Sequence, residues 1–194
     1  TIDDNSAIQK LETYFPSKER AVLPTKLGNT IASFEHYSNT RYGIDAIALW
    51  PRLIPVLQDT KYIEFISHQK AVFDFMLNMM YTVFVVGLEL SYLSIYLGQF
   101  FYFLPYLFIT FLLTFVFYEG AVNGAVSWGI CVKVAFDIFR WDLWNKLHLK
   151  PLSKEDGDTV SVFSKEIERW TKVSKLIACN ARTDFDEFYY DKSD

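Results

Sequence analysis

Apolar positions along this chain change their spacing more than once, and the changes mark its elements. From Lys26 to Tyr37, and again from Ile44 to Leu57, they recur three and four apart, the repeat of a helix with one buried side. Thr25 is placed to cap the first of these helices. The second, interrupted by Pro51, carries Ile47, Trp50, Ile54 and Leu57 on one side, a surface suited to a membrane interface or a partner helix. Asp59 is placed to cap a third helix, which runs on through Ile63, Ile66 and Phe73.

Beyond Lys70 the one-sided pattern gives way to a block that is apolar all round. No Lys or Arg occurs from Ala71 to Val132, and the acids there are Asp74, Glu89 and Glu119 alone. The uncharged run from Leu90 to Tyr118 is longer than the roughly 20 apolar residues needed to cross a hydrocarbon core. Leu97-Gly98-Gln99 and then Pro105 interrupt it, which predicts two spans, about 75–96 and 103–126, joined by a tight turn. Pro105 is expected in the first turn of the second helix, where its missing N–H has no partner. Tyr92, Tyr96, Phe100, Phe101, Tyr102 and Tyr106 gather around the turn like an aromatic belt at one membrane face. The alternative is a buried helical hairpin inside a soluble core.

Past the second span the repeat resumes. Tyr118, Val122, Ala125, Gly129, Val132, Phe136, Phe139 and Leu143 alternate four and three apart, a heptad seam. The seam predicts a helix that leaves the membrane and packs antiparallel on the incoming one. Gly120-x-x-x-Gly124 and Ala121-x-x-x-Ala125-x-x-x-Gly129 form small-residue rows that let helices approach closely in lipid. Packing within the hairpin is preferred here to an oligomerisation face. Lys150-Pro151 then breaks the helix, Ser153 to Thr159 reads as a polar acidic loop, and Val160, Phe163, Ile167, Trp170, Val173 and Ile177 predict an amphipathic helix. The closing DFDEFYYDKSD is an acidic tail. The expected fold is therefore all-α: a transmembrane helical hairpin extended into a cytoplasmic helical stalk with flanking amphipathic helices. Its segments are 1–58, 59–150 and 151–194.

Composition and charge sharpen this picture. With 51% hydrophobic and 18% aromatic residues, the chain is rich for a soluble domain. Lys61 and Lys70 precede the first span, and Lys133, Arg140, Lys146, Lys150 and Lys154 follow the second. By the positive-inside rule both termini are expected to face the cytoplasm. Cys131 and Cys179 then lie where thiols stay reduced, without metal-ligand company. A net charge of -4 without a basic patch argues against nucleic acid. His36, His68 and His148 are isolated, and H-E-x-x-H, P-loop, G-x-G-x-x-G and G-x-S-x-G patterns are absent, so neither metal nor cofactor is expected. No cleavable signal precedes the hairpin.

Two carboxylates carry the candidate chemistry. Counted at 1.5 Å per residue from the turn, Glu89 lies about 12 Å deep and Glu119 about 22 Å. Insertion scales charge about 2.5 to 3.5 kcal/mol for an ionised group at the centre of a span. Glu89 is therefore expected to be neutralised, hydrogen-bonded, or turned toward another subunit or a water path. Thr110 and Thr114 lie at similar depth as donors, and Asn78 and Asn123 match in depth at the cytoplasmic interface. An ion or proton site is one reading; polar glue between helices is the other. Asp137 and Asp142, with Arg140 between them, form a cluster for lipid headgroups or a partner, or a solvated face.

Residues 23–53, LPTKLGNTIASFEHYSNTRYGIDAIALWPRL, and 135–152, AFDIFRWDLWNKLHLKPL, resemble a group of uncharacterised bacterial integral membrane proteins. In that group an L-P-T-[KR]-L-G-N element, then Y-G-[IL]-D and W-P-R-L, precedes a membrane hairpin, and an F-D-[IL] helix ending before a Pro follows it. Here Leu23, Pro24, Thr25, Lys26, Leu27, Gly28 and Asn29 carry the first motif, and Tyr42, Gly43, Asp45, Trp50, Pro51 and Arg52 the others. Phe139 stands before Arg140 where the group usually has a basic residue. The resemblance, with the start at Thr1, implies a further hairpin upstream, and it implies topology without an activity. The expected function is a non-catalytic membrane subunit or scaffold, partnered in the bilayer by copies of itself or other subunits. The alternative is an oligomeric channel or transporter component using Glu89; below it stands a lipid-active enzyme with Asn78, Asn123 and Asp137 at the interface.

Overall fold

The computed structural model describes residues 11, 13–16, 22–58, 60–150 and 159–179. Their regular elements are all helical: α1 Lys26–Tyr42, α2 Ala46–Leu57, α3 Tyr62–Tyr96, α4 Phe100–Lys146 and α5 Thr159–Cys179. The chain divides into two compact units, Thr1–Phe65 with Gly129–Asp194, and Ile66–Trp128. The expected cap at Asp59, the acidic loop before α5 and the acidic tail lie outside the described residues.

Helix ends are set by specific side chains. Thr25, in an extended conformation, accepts from the Gly28 N–H at 3.0 Å and starts α1. The Asn29 amide grips Leu23 from both sides, accepting from its N–H at 2.6 Å and donating to its carbonyl at 2.9 Å. α1 runs on to Tyr42, past the expected end at Tyr37, because Gly43 supplies the left-handed residue that closes it: φ is +73°, and its N–H reaches Asn39 O. Asp45 then starts α2 by accepting from the Ala48 N–H at 3.1 Å. α3 and α4 both end in a Schellman motif. Gly98 takes the left-handed position after α3, and Gln99 N–H bonds Ser94 O. His148 takes it after α4, at φ 53°, and Leu149 N–H bonds Trp144 O. α4 therefore stops at Lys146, before Lys150-Pro151 is reached. It starts at Phe100, which puts Pro105 in its second turn rather than the first. The Phe101 carbonyl there loses its intrahelical donor.

In the first unit, α1, α2 and α5 pack on one another. Their core holds Phe34, Ile44, Leu49, Leu53, Leu57 and Trp170, with Phe136 and Leu143 from α4. Each such side chain contributes about 1.5 to 3 kcal/mol of burial. The buried stripe of α2 is Ala46, Leu49, Leu53, Val56 and Leu57, whereas Ile47 is 70% exposed. Of the face expected to suit a membrane interface or a partner helix, Ile47 is exposed, Trp50 and Ile54 are half-buried and Leu57 is fully buried; AIALWPRLIPVL is apolar nearly all round, so periodicity alone does not choose its inner side. α5 buries Glu166, Trp170, Val173, Ser174 and Leu176, leaving Phe163 exposed.

In the second unit, α4 folds back along α3 through small residues. Phe73 stacks on Trp128 with ring centroids 5.7 Å apart. A Cβ at Gly124 would sit 3.0 Å from Phe73 Cα, and one at Gly120 would sit 3.0 Å from Met76 Sδ. Gly87 is tighter still, since its Cβ would fall 2.0 Å from Thr110 Oγ1. Ala121, Val122 and Ala125 are fully buried. Both α3 and α4 are long and apolar enough to cross a membrane, yet only 6% of each apolar window is buried. Phe101, Leu104, Phe108 and Phe115 are between 61% and 85% exposed.

Candidate functional site

The densest polar constellation among the described residues is centred on Asp137, in the C-terminal part of α4. Tyr42 donates to its Oδ1 at 2.7 Å, and Tyr37 reaches both carboxylate oxygens at 3.1 Å. One turn of helix brings in Arg140, whose Nη1 donates to the Asp137 carbonyl and whose Nε donates to Glu166 Oε1 at 2.9 Å. The Arg140 guanidinium also lies 4.5 Å from the centroid of the Tyr42 ring. Lys133 sits 5.3 Å from the Tyr37 ring centroid, and its Nζ donates to Ser33 Oγ at 3.3 Å. Arg41 donates to the Tyr42 hydroxyl at 3.2 Å. Two elements, α1 and α4, thus meet at one carboxylate and one guanidinium, and α5 joins as the third through Glu166.

Electrostatics follow from that geometry. Burial, then the charge of Asp137 and the hydrogen bond to it, push the Tyr37 hydroxyl from its ordinary 10.0 up to about 12. Tyr42 moves the same way, first through burial and then through Asp137. Tyr37 therefore keeps its proton in the folded chain at pH values where the unfolded chain has released it. Its stabilising contribution is complete below pH 10.0 and is lost as pH rises toward about 12. Alkaline unfolding curves should show this decline in the wild type, and Tyr37→Phe should flatten it. An identical alkaline slope in both proteins would refute the assignment. Chemically the cluster presents no activated nucleophile; two phenols are held protonated by burial and by the carboxylate they bind. Its effect is to fix α1, α4 and α5 against one another.

The residues singled out from the sequence fall in several places. Glu89, Asn78 and Asn123 are exposed, and Glu119 is half-buried with interactions of its own. Thr110 does not serve Glu89: its hydroxyl donates to Tyr106 O at 2.7 Å and packs against Gly87. Two residues along a helix lie on nearly opposite sides, so a threonine facing Gly87 cannot face Glu89. No hydrogen bond joins Asn78 to Asn123 among the described residues. Gly129 meets Phe34, which a Cβ would approach to 2.4 Å.

The motif residues mostly build the first unit. Thr25, Gly28 and Asn29 form the α1 start, where a Cβ on Gly28 would touch Thr25 Oγ1 at 2.9 Å. Tyr42 binds Asp137, Gly43 lets α5 approach, and Asp45 caps α2. Its N–H donates to Ser174 Oγ at 3.0 Å, while Ser174 donates to Gly43 O at 3.3 Å. Trp50 packs on Phe136 at 6.1 Å, and Arg52 donates to Ala48 O at 2.8 Å, one turn back in a helix that Pro51 and Pro55 deprive of donors. Lys26 lies 5.5 Å from the Tyr14 ring centroid, and Pro24 is exposed just ahead of the cap. Tyr37 and Glu166 escaped the sequence reading because their partners lie 100 and 26 residues away, and Arg41, bonded to its neighbour Tyr42, because a polar residue on a helix reads locally as solvated.

No protein family, curated protein or solved structure matches the chain. Functional inference therefore rests on the residues themselves.

Proposed function

We propose that this chain is a non-catalytic integral membrane subunit or scaffold. Its transmembrane hairpin would span about 75–96 and 103–126, continuing into a helical stalk whose bundle and both termini lie at the cytoplasmic face of the inner membrane. The observation that carries this is the bareness of α3 and α4: apolar windows of mean hydropathy 1.7 and 2.1 with only 6% of their residues buried. A core helix of a soluble protein hides such a surface, and water penalises it at about 25 cal/mol per Å². Lipid removes the penalty. Aromatic residues at the Leu97–Gln99 turn and basic residues at the far ends of both helices support the orientation. Close approach at Gly120 and Gly124 suits helix packing in lipid.

Fractionation tests the reading. The chain should stay with membranes through an alkaline carbonate wash and leave them only with detergent. A well-behaved monomer in buffer without amphiphile would overturn it. Transport is the second reading, favoured by the exposed Glu89 carboxyl on α3. Glu89→Gln decides between them in reconstituted vesicles. Flux that is absent or unchanged supports the scaffold, and a wild-type flux lost on substitution with assembly intact supports transport.

A further inference from the structure

Contacts along α1 set its direction against the C-terminal part of α4. Phe34 lies against Gly129, Ser33 Oγ accepts from Lys133 Nζ at 3.3 Å, Tyr37 and Tyr42 donate to Asp137, and the Tyr42 ring faces the Arg140 guanidinium. Residue numbers rise together in both helices, so the two run parallel. The start of α1 therefore points toward the end from which α4 leaves its span. Lys26 lies seven residues before Ser33, and Val126, the expected end of the span, lies seven before Lys133, about 10 Å in each case at 1.5 Å per residue. The first turn of α1 thus comes level with the edge of the hydrocarbon.

That level collects apolar side chains. Val22 and Leu23 precede the cap, and Leu23 is fixed there by the Asn29 amide on its N–H and carbonyl. Lys26 Nζ stands 5.5 Å from the Tyr14 ring centroid, which brings in the turn where the Phe15 N–H bonds Leu11 O. Leu11, Phe15, Val22 and Leu23 are between 42% and 58% exposed. Aliphatic and aromatic groups below a tyrosine and a lysine match the boundary between acyl chains and headgroups, where the apolar parts bury and the ammonium stays wet. Other exposed apolar residues of the first unit lack that position. Ile138 is twelve residues past Val126, about 18 Å along α4, and Ile47 follows Tyr42 at the opposite end of α1.

We propose that the start of α1, with Leu11, Phe15, Val22 and Leu23, is seated in the bilayer leaflet from which α4 emerges. The inference rests on the membrane reading above and adds a second contact with lipid, made by the first unit. Lipid is the occupant because the depth is set by α4: the patch continues the surface that α4 already presents to the bilayer.

Nitroxide labels on single cysteines test this in the full chain carrying Cys131→Ala and Cys179→Ser, reconstituted in vesicles of mixed zwitterionic and anionic phospholipid. Oxygen concentrates in hydrocarbon and a nickel chelate in water, so collisions with each report the surroundings of the label. Phe108→Cys, on the exposed side of α4 within the span, and Ile138→Cys, beyond it, mark the two extremes. Phe15→Cys and Leu23→Cys should lose nickel collisions and gain oxygen collisions as Phe108→Cys does, whereas Ile47→Cys should match Ile138→Cys. All the replaced side chains are exposed, and Asn29 holds Leu23 by its backbone, so the fold is kept. Labels at Phe15 and Leu23 that meet nickel as freely as the one at Ile138, or meet neither reagent because protein covers them, would overturn lipid contact while Phe108 still reports hydrocarbon. A label at Phe108 that reports water, or recovery of the chain in the aqueous fraction, would overturn this inference and the membrane reading together.

Discussion

Replacing Glu166 with Ala should lower the unfolding free energy of the first unit by about 3 to 5 kcal/mol, the cost of stranding one member of a buried ion pair. The side chains of Arg140 and Glu166 are only 19% and 6% exposed, and the guanidinium is held by Glu166, by the Asp137 carbonyl and by the face of Tyr42. Without Glu166 the cation keeps a carbonyl and a ring but no counter-charge. Arg140→Ala should cost a comparable amount, because it leaves the carboxylate of an almost fully buried residue without its cation. The double replacement Arg140→Leu, Glu166→Leu should cost far less than the sum of the single ones, since no charge is then left unpaired. Denaturant unfolding in mild detergent, read by circular dichroism, measures all four proteins. If Glu166→Ala unfolds within about 0.5 kcal/mol of the wild type, as exposed substitutions do, the pair is effectively solvated and this account of the bundle fails.

That pair also shows where sequence reading reaches its limit. The two long apolar helices were legible because their signal is additive: dozens of hydrophobic residues without a Lys or Arg need no partner to be recognised. Of the expected seam, Val122, Ala125, Gly129, Val132, Phe136 and Leu143 are buried, and Tyr118 and Phe139 are half-buried. α2 defeated the method because its sequence is apolar on every side, so its inner face is chosen by what covers it and not by its own pattern. Glu166 defeated it because a Glu between Ile167 and Lys165 looks like solvent-facing helix until Arg140, on another element, is brought to 2.9 Å. Asp137 stands out in the sequence as part of a polar cluster and Tyr42 as a motif residue, yet nothing local pairs either Tyr37 or Tyr42 with Asp137, since aromatic residues in an amphipathic helix read first as core. Polar networks are pairwise and long-range, and a single sequence records only their members.

The second large effect is expected at Gly43, where two independent costs fall on one atom. Its φ of +73° is left-handed, which costs a residue with a Cβ about 1 to 2 kcal/mol. An added Cβ would also stand 2.6 Å from the Ile167 carbonyl oxygen and 2.4 Å from Thr171 Oγ1, an overlap of the kind that costs about 1 to 3 kcal/mol. Thr171 can rotate away, but the Ile167 carbonyl belongs to the α5 backbone and cannot. Gly98 provides the internal control. Its φ is +71°, nearly the same, and an added Cβ there meets nothing within 4 Å. Gly98→Ala should therefore carry the dihedral cost alone, and Gly43→Ala should be the more damaging by the overlap term. Asn, which tolerates the left-handed region, should nearly restore the wild type at Gly98 and leave Gly43 impaired. Should Gly43→Asn and Gly98→Asn prove equally mild in detergent unfolding, the close approach of α5 to the α1–α2 corner would not be a feature of the folded protein.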